Sequence, residues 1–121
     1  MAHEETTAML KRIAMKKKET EAQFAVTEVE LVYHNKVKAA DRIRVLTSAD
    51  AYEVFIRTWN MNKIDLLEQF RIIMLDMSNG CIGVSDISTG GIASCIVDAR
   101  IVFATALKAR ASSIIMAHNH P

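Results

Sequence analysis

Apolar positions are few and scattered in the first part of the chain. Residues 4–24 contain no Gly or Pro and are rich in Ala, Met, Lys and Glu, which are residue types that favour helix. The apolar side chains here, such as Met9 and Ile13, are too scattered to form a broad core-facing stripe. The pattern predicts a helical N-terminal arm over residues 1–25, followed by one domain over residues 26–121.

An alternation of apolar and polar residues follows the arm. Over residues 26–37 apolar and polar side chains partly alternate, with the period of two that is typical of a half-buried strand. Thr or Ser at 47–48, with Asp50 close behind, can cap a helix whose apolar residues recur at helical spacing up to residue 60. We therefore predict a first strand and then a packed helix. The apolar stripe of that helix is Val54, Phe55 and Trp59.

The second half of the chain has the pattern of a hairpin, a helix and a strand. Residues 70–75 form a nearly continuous apolar run, and residues 78–80, Ser-Asn-Gly, supply turn chemistry before the next apolar residues. Asp98 can cap a helix over residues 98–110, whose many small side chains suit close packing on a sheet. Residues 112–117 form another buried-type strand.

The order of these elements predicts the fold class. Helix, strand, helix, hairpin, helix and strand indicate an α/β protein with a mixed β-sheet flanked by helices. The chain has 121 residues, of which 50% are hydrophobic and 24% charged, so it can bury one globular core and has no room for a second full domain. We find no internal repeat or low-complexity segment.

Charge gives little information about partners. The formal net charge is +1, which creates no global field that would attract nucleic acid or an anionic membrane. The arm carries a basic cluster that could contact phosphate, but a solvated helix face has the same composition, and we favour the solvated face. Nucleic-acid binding therefore stays open. The cluster consists of Lys11, Arg12, Lys16, Lys17 and Lys18.

Cysteine usage and hydropathy point to the cytoplasm. Cys81 and Cys95 form no C-x-x-C pair, and the cysteine density is below that of a secreted disulfide scaffold. No apolar run approaches the roughly 20 residues that span a bilayer, and the polar start of the chain lacks the order of a signal peptide. We expect a cytoplasmic protein without a membrane partner.

Candidate chemistry is concentrated at the end of the chain. His118 and His120 stand two residues apart after a strand-like run. Because strand side chains alternate, both imidazoles leave the same face, and two neutral imidazoles form half of a tetrahedral zinc site. On spacing alone, a polar loop after a buried strand explains the pair at least as well.

Two rival metal motifs use the same histidines. A zinc-finger-like structural site would combine them with Cys81 and Cys95, but cysteines this dispersed form no knuckle. An HNH nuclease is suggested by the letters of residues 118–120, yet that name describes three residues spread over a longer ββα motif. We disfavour both.

Longer strings carry a family resemblance. Residues 114–121, IIMAHNHP, resemble the strand end that marks RadC-like members of the JAMM (MPN-plus) metallopeptidase group. Upstream, Glu68 leads an apolar run that ends in Asp76, and Gly90 precedes Arg100, with spacings similar to those of the family. The resemblance covers about Thr47 to Pro121.

The resemblance implies a fold and a reaction. The expected fold is the layered α/β fold of JAMM domains and cytidine deaminases. By the resemblance, His118 and His120 are zinc ligands and Glu68 is the catalytic base that takes the proton of the attacking water. The implied activity is hydrolysis of an amide or isopeptide bond in a protein or peptide substrate.

This sequence also departs from the family. Residues 98–101 read Asp-Ala-Arg-Ile where the family usually has His-Pro-Arg-Glu. The family motif continues beyond its second histidine through a Ser-Gly turn to a Ser and a ligand Asp, which do not follow Pro121 here. We therefore expect a C-terminally incomplete domain that binds zinc weakly or not at all, is inactive as a peptidase, and can form homo-oligomers through an exposed strand edge.

A different functional class competes with the enzyme. Many MPN relatives without the full ligand set are metal-free binding or scaffolding modules, and this chain could be one of them. Such a module could act in DNA repair, with which RadC-like proteins are traditionally associated, or in mobile elements.

Overall fold

The computed structural model describes most of the chain in two units, Met1–Glu30 and Leu31–Pro121. The described residues are 1–23, 25–30, 32–92 and 94–121. Within them, no helix is both long and apolar enough to cross a membrane.

Helix α1, Ala2–Gln23, belongs to the first unit. The side chains of residues 1–19 are exposed, so intrinsic propensity rather than packing explains the helix. The helix predicted for the arm is confirmed over the described residues, and Phe24 lies outside them. The boundary between arm and domain stays a prediction.

The strand predicted over residues 26–37 is wrong. Residues 25–30 and 32–37 form no strand, and Leu31 lies outside the described residues. The apolar side chains that suggested a half-buried face are largely exposed, with Val26 at 87% and Val29 at 83%. Alternation tells which side chains share a face, but a strand also needs a partner for its backbone hydrogen bonds and a surface to cover.

Helix α2, Ser48–Thr58, begins at the predicted cap. The Thr47 hydroxyl accepts a hydrogen bond from the Asp50 N–H at 3.2 Å, and the Asp50 carboxylate accepts from the Thr47 N–H at 3.0 Å. This reciprocal pair is a capping box. The helix and its C-cap residue bury the predicted apolar stripe. The buried side chains are Ala51, Val54, Phe55 and Trp59.

Strands β1, Gln69–Leu75, and β2, Cys81–Thr89, form the predicted hairpin. In its turn the Asp76 carboxylate accepts hydrogen bonds from the N–H groups of Ser78 and Gly80, both at 2.8 Å. A Cβ atom on Gly80 would lie 2.6 Å from that carboxylate, so any larger residue at this position would displace the Asp76 side chain from its hydrogen bonds. Strand β2 extends five residues beyond the predicted run at 81–84.

Acid should destabilise this domain through two carboxylates. Backbone N–H groups of Leu46 and Thr47 lower the pKa of Asp50, and the Arg42 guanidinium lowers that of Asp76. A carboxylate whose pKa is lowered by folding stabilises the folded protein fully at pH values above its ordinary pKa of 3.8. This stabilisation is lost as the pH falls through the pKa of the folded state. The free energy of unfolding in urea should therefore fall between about pH 5 and about pH 2.

The double variant Asp50→Asn, Asp76→Asn is the matched comparison. It should be less stable than wild type at neutral pH and should lose less stability on acidification, because neither amide titrates. Equal pH dependence of unfolding in the two proteins would contradict this assignment.

Helix α3, Ala99–Lys108, and strand β3, Ser113–His118, complete the described fold. The Asp98 carboxylate caps α3 by accepting from the Arg100 N–H at 2.9 Å, as its position predicted. The sheet order is β2-β1-β3. The α/β class is confirmed; both described pairings are antiparallel, whereas the sequence predicted a mixed sheet.

Strand β1 is the centre of the core. Its neighbouring residues Ile72 and Ile73 point to opposite faces of the sheet, and both are 0% exposed. Ile73 packs in a cluster with the apolar stripe of α2, and Ile72 packs in a cluster with Val102 of α3. The helices therefore cover opposite faces, which explains why the apolar run of β1 is nearly continuous.

Candidate metal centre

The candidate residues meet at one end of the sheet. Glu68 immediately precedes β1, and His118 is the last residue of β3. These strands are antiparallel, and Phe70 pairs with His118, so the start of β1 lies beside the end of β3. His120 follows two residues later, in the irregular segment after β3. Antiparallel pairing thus joins residues that are fifty positions apart in the chain.

The side chains of Glu68, His118 and His120 converge. One potential ligand atom from each lies within 4.8 Å of the others. The nearest contact between the acid and a histidine joins Glu68 Oε1 and His120 Nδ1 at 3.9 Å, which is too long for a hydrogen bond. The two imidazole rings lie 4.5 Å apart between centroids, at an interplanar angle of 84°. The three potential ligand atoms therefore surround a common space.

The members of this cluster differ in their exposure to solvent. The Glu68 side chain is only 14% exposed, whereas that of His120 is 78% exposed. The ring of His118 lies 6.4 Å from that of Phe70, its pairing partner on β1. The carboxylate is therefore sheltered, and the imidazoles are open to ions and substrate.

Two neighbouring residues were missed by the sequence analysis. Gln69 is buried, and its side-chain N–H groups donate to Asp86 and Thr89 of β2 at 3.2 and 3.3 Å. Asn119 makes three hydrogen bonds to the segment around Glu68. Neither role has a sequence signal, because both depend on contacts between distant segments.

The cysteine-containing zinc site does not form. Cys81 pairs with Leu75 at the far end of β1 from Phe70, the residue opposite His118. Burial raises the pKa of the Cys81 thiol, which disfavours the thiolate that binds metal. The Cys95 sulfur lies 2.7 Å from the Ser88 hydroxyl. Among the described residues, the one metal-type group is the cluster at the sheet end.

Comparisons with known proteins identify sequences that are similar to this chain. The profile of the RadC-like JAB domain family matches residues 45–121. A UPF0758 protein of Syntrophomonas wolfei is 52% identical over 54 residues, which are 45% of this chain and 23% of that protein. One from Clostridium perfringens strain 13 is 31% identical over 104 residues, which are 86% of this chain and 44% of that protein. The chain thus spans less than half the length of either relative.

Proposed function

Because the chain belongs to the family of RadC-like JAB domains, we propose that it is part of a zinc-dependent amide or isopeptide hydrolase. The convergence of Glu68, His118 and His120 at the end of the sheet carries this proposal. The substrate is a protein or peptide that presents its amide bond to the exposed side of the cluster. The function proposed here is that of the family domain, of which this chain supplies the base and two ligands.

The donor types fit zinc. Imidazole nitrogens and carboxylate oxygens are its usual ligands in proteins, and catalytic sites keep a position open for water. In the proposed site His118 and His120 would hold the ion. When bound, zinc acts as a Lewis acid that makes water acidic enough to attack near neutral pH.

Glu68 performs the proton transfers in this proposal. Its carboxylate takes the proton of the attacking water and returns it to the leaving amine. Its position supports the assignment, because the side chain is sheltered yet lies 3.9 Å from the Nδ1 atom of His120. A carboxylate beside the ligands, at the mouth of the site, reaches both the water and the scissile bond.

Hydrolysis by an extended version of the chain tests the proposal. The extension continues past Pro121 through the Ser and Asp that the resemblance implies. It should cleave isopeptide or linear peptide substrates, and a chelator should abolish the cleavage. The 121-residue chain should be inactive in the same assay. Among its described residues, the one metal-type group is Glu68 with the two histidines, and with Glu68 as the base only two ligands remain, one fewer than catalytic zinc sites usually have.

Histidine variants make this test specific. His118→Ala and His120→Ala should each abolish activity of the extended version, while His34→Ala, which changes an exposed histidine outside the cluster, should leave it unchanged. An extended version that folds and binds zinc but cleaves no amide substrate would count against a hydrolase and favour a binding module. Chelator-sensitive cleavage by the 121-residue chain would overturn its predicted inactivity.

A further inference from the structure

Asn119 links the three members of the candidate metal centre. It stands between His118 and His120 in the chain, and its side chain bonds to the backbone on both sides of Glu68. Its Oδ1 accepts a hydrogen bond from the Gln69 N–H at 2.8 Å. Its Nδ2 donates to the Leu67 carbonyl at 2.8 Å. One side chain thus joins the segment of the two histidines to the two peptide neighbours of Glu68.

A third hydrogen bond extends this connection. The Nδ2 group of Asn119 also donates to the Ile64 carbonyl at 2.6 Å. The amide therefore uses both of its N–H donors and its carbonyl acceptor on backbone groups of one segment. The partners fix its orientation, because only an N–H can meet the two carbonyls and only an oxygen can meet the Gln69 N–H.

We propose that Asn119 is a positioning residue that holds Glu68 opposite His118 and His120. Its relevance to catalysis rests on the proposed function, whereas the hydrogen bonds do not. The Glu68 backbone itself is held by the residue that follows β2, because the Gly90 N–H donates to the Glu68 carbonyl at 2.8 Å. Asn119 supplies the complementary restraint from β3. The carboxylate is thereby kept at the metal site.

The side-chain chemistry explains why the residue is asparagine. Aspartate has the same shape and keeps the acceptor for the Gln69 N–H, but it would set a carboxylate against the carbonyls of Ile64 and Leu67. Alanine removes all three hydrogen bonds. Comparison of the two substitutions therefore distinguishes the contribution of the Asn119 acceptor from that of its N–H donors.

The 121-residue chain and its variants provide the test, with zinc chloride as the probe. Asn119→Ala should weaken zinc binding about tenfold or more, because its hydrogen bonds also anchor the segment that carries both histidines, and loss of a residue that orients metal ligands typically has an effect of this size. It should also speed hydrogen exchange of the Gln69 amide. Asn119→Asp should keep that amide protected, because the acceptor remains, and should weaken zinc binding through the displaced loop. Calorimetric titration and NMR exchange measure the two effects.

Two controls separate positioning from general destabilisation. Asn62→Ala removes an exposed asparagine, and Val84→Ala weakens the core cluster at a distance from the site. Both should leave zinc affinity within about twofold of wild type, a free-energy change of about 0.4 kcal/mol. If Asn119→Ala fails to fold, Asn119→Asp decides. Zinc affinity of the folded Asn119 variant equal to that of the controls would overturn the proposal.

A metal-free measurement distinguishes failure of this inference from failure of the proposed function. Should the wild-type chain bind no zinc, the hydrolase proposal is decided by the extended version instead, and the positioning role is measured without metal. The positioning role is then tested by the nuclear Overhauser contact between the His120 ring and the Glu68 side chain. Loss of this contact in Asn119→Ala, with the fold intact, supports positioning, and its persistence overturns it.

Discussion

Replacing Glu68 by Gln in the extended version should lower kcat/KM by about a hundredfold or more, the usual contribution of a positioned general base. Gln has the same shape but cannot accept the proton of the attacking water. The Glu68 side chain is only 14% exposed, so bulk solvent is poorly placed to replace the lost base. Steady-state rates of the unsubstituted enzyme and of the Glu68→Gln variant, measured under the same conditions, give the size of the loss.

Metal content decides how that result is interpreted. If Glu68 acts as the base and not as a ligand, the Glu68→Gln variant should retain the zinc content of the unmodified extended version. Glu53→Gln is the matched control, because it changes a 60% exposed glutamate that pairs with Arg57 on the surface of α2. Activity that survives Glu68→Gln would remove Glu68 as the base, and loss of zinc would make it a ligand.

Replacing Ile73 by Ala should remove a large fraction of the free energy of unfolding of this chain. Ile73 is 0% exposed on the central strand and packs among the buried side chains of α2. Removal of a buried Ile side chain typically costs about 2–5 kcal/mol, and a small domain has only about 5–15 kcal/mol in total. Urea unfolding followed by circular dichroism measures the loss.

Another isoleucine provides the control for this prediction. Ile96 is 88% exposed, so Ile96→Ala should change the free energy of unfolding by no more than about 0.5 kcal/mol. A loss below about 1 kcal/mol for Ile73→Ala would mean that the core around β1 collapses to fill the space, contrary to the close packing expected of a buried site.

Local signals in the sequence were sufficient for most of the elements. Thr47 and Asp50 form the capping box at the start of α2, Asp98 caps α3, and the turn at residues 78–80 joins β1 to β2. These features depend on residues close together in the chain, so their patterns carry the information. The segment 26–37 had an alternating pattern as well, but its described residues, 26–30 and 32–37, form no strand.

Only part of the candidate site could be predicted from the sequence. The spacing of His118 and His120 suggested a metal site, but Glu68 was assigned through the family resemblance alone. No periodicity connects residue 68 with residue 118. The antiparallel pairing of Phe70 with His118 brings the acid to the histidines, and the convergence of their side chains is a property of the tertiary structure. Their catalytic roles stay predictions.

The sequence by itself determined where helices and strands begin, because caps, turns and apolar periodicity act over a few residues. Tertiary structure decided which side chains share an environment. It placed Ile72 and Ile73 on two covered faces of one strand, and it gave Asn119 its backbone partners at Leu67 and Gln69. Such contacts join segments that are distant in the chain, and their geometry follows from strand register and packing, which no local pattern specifies.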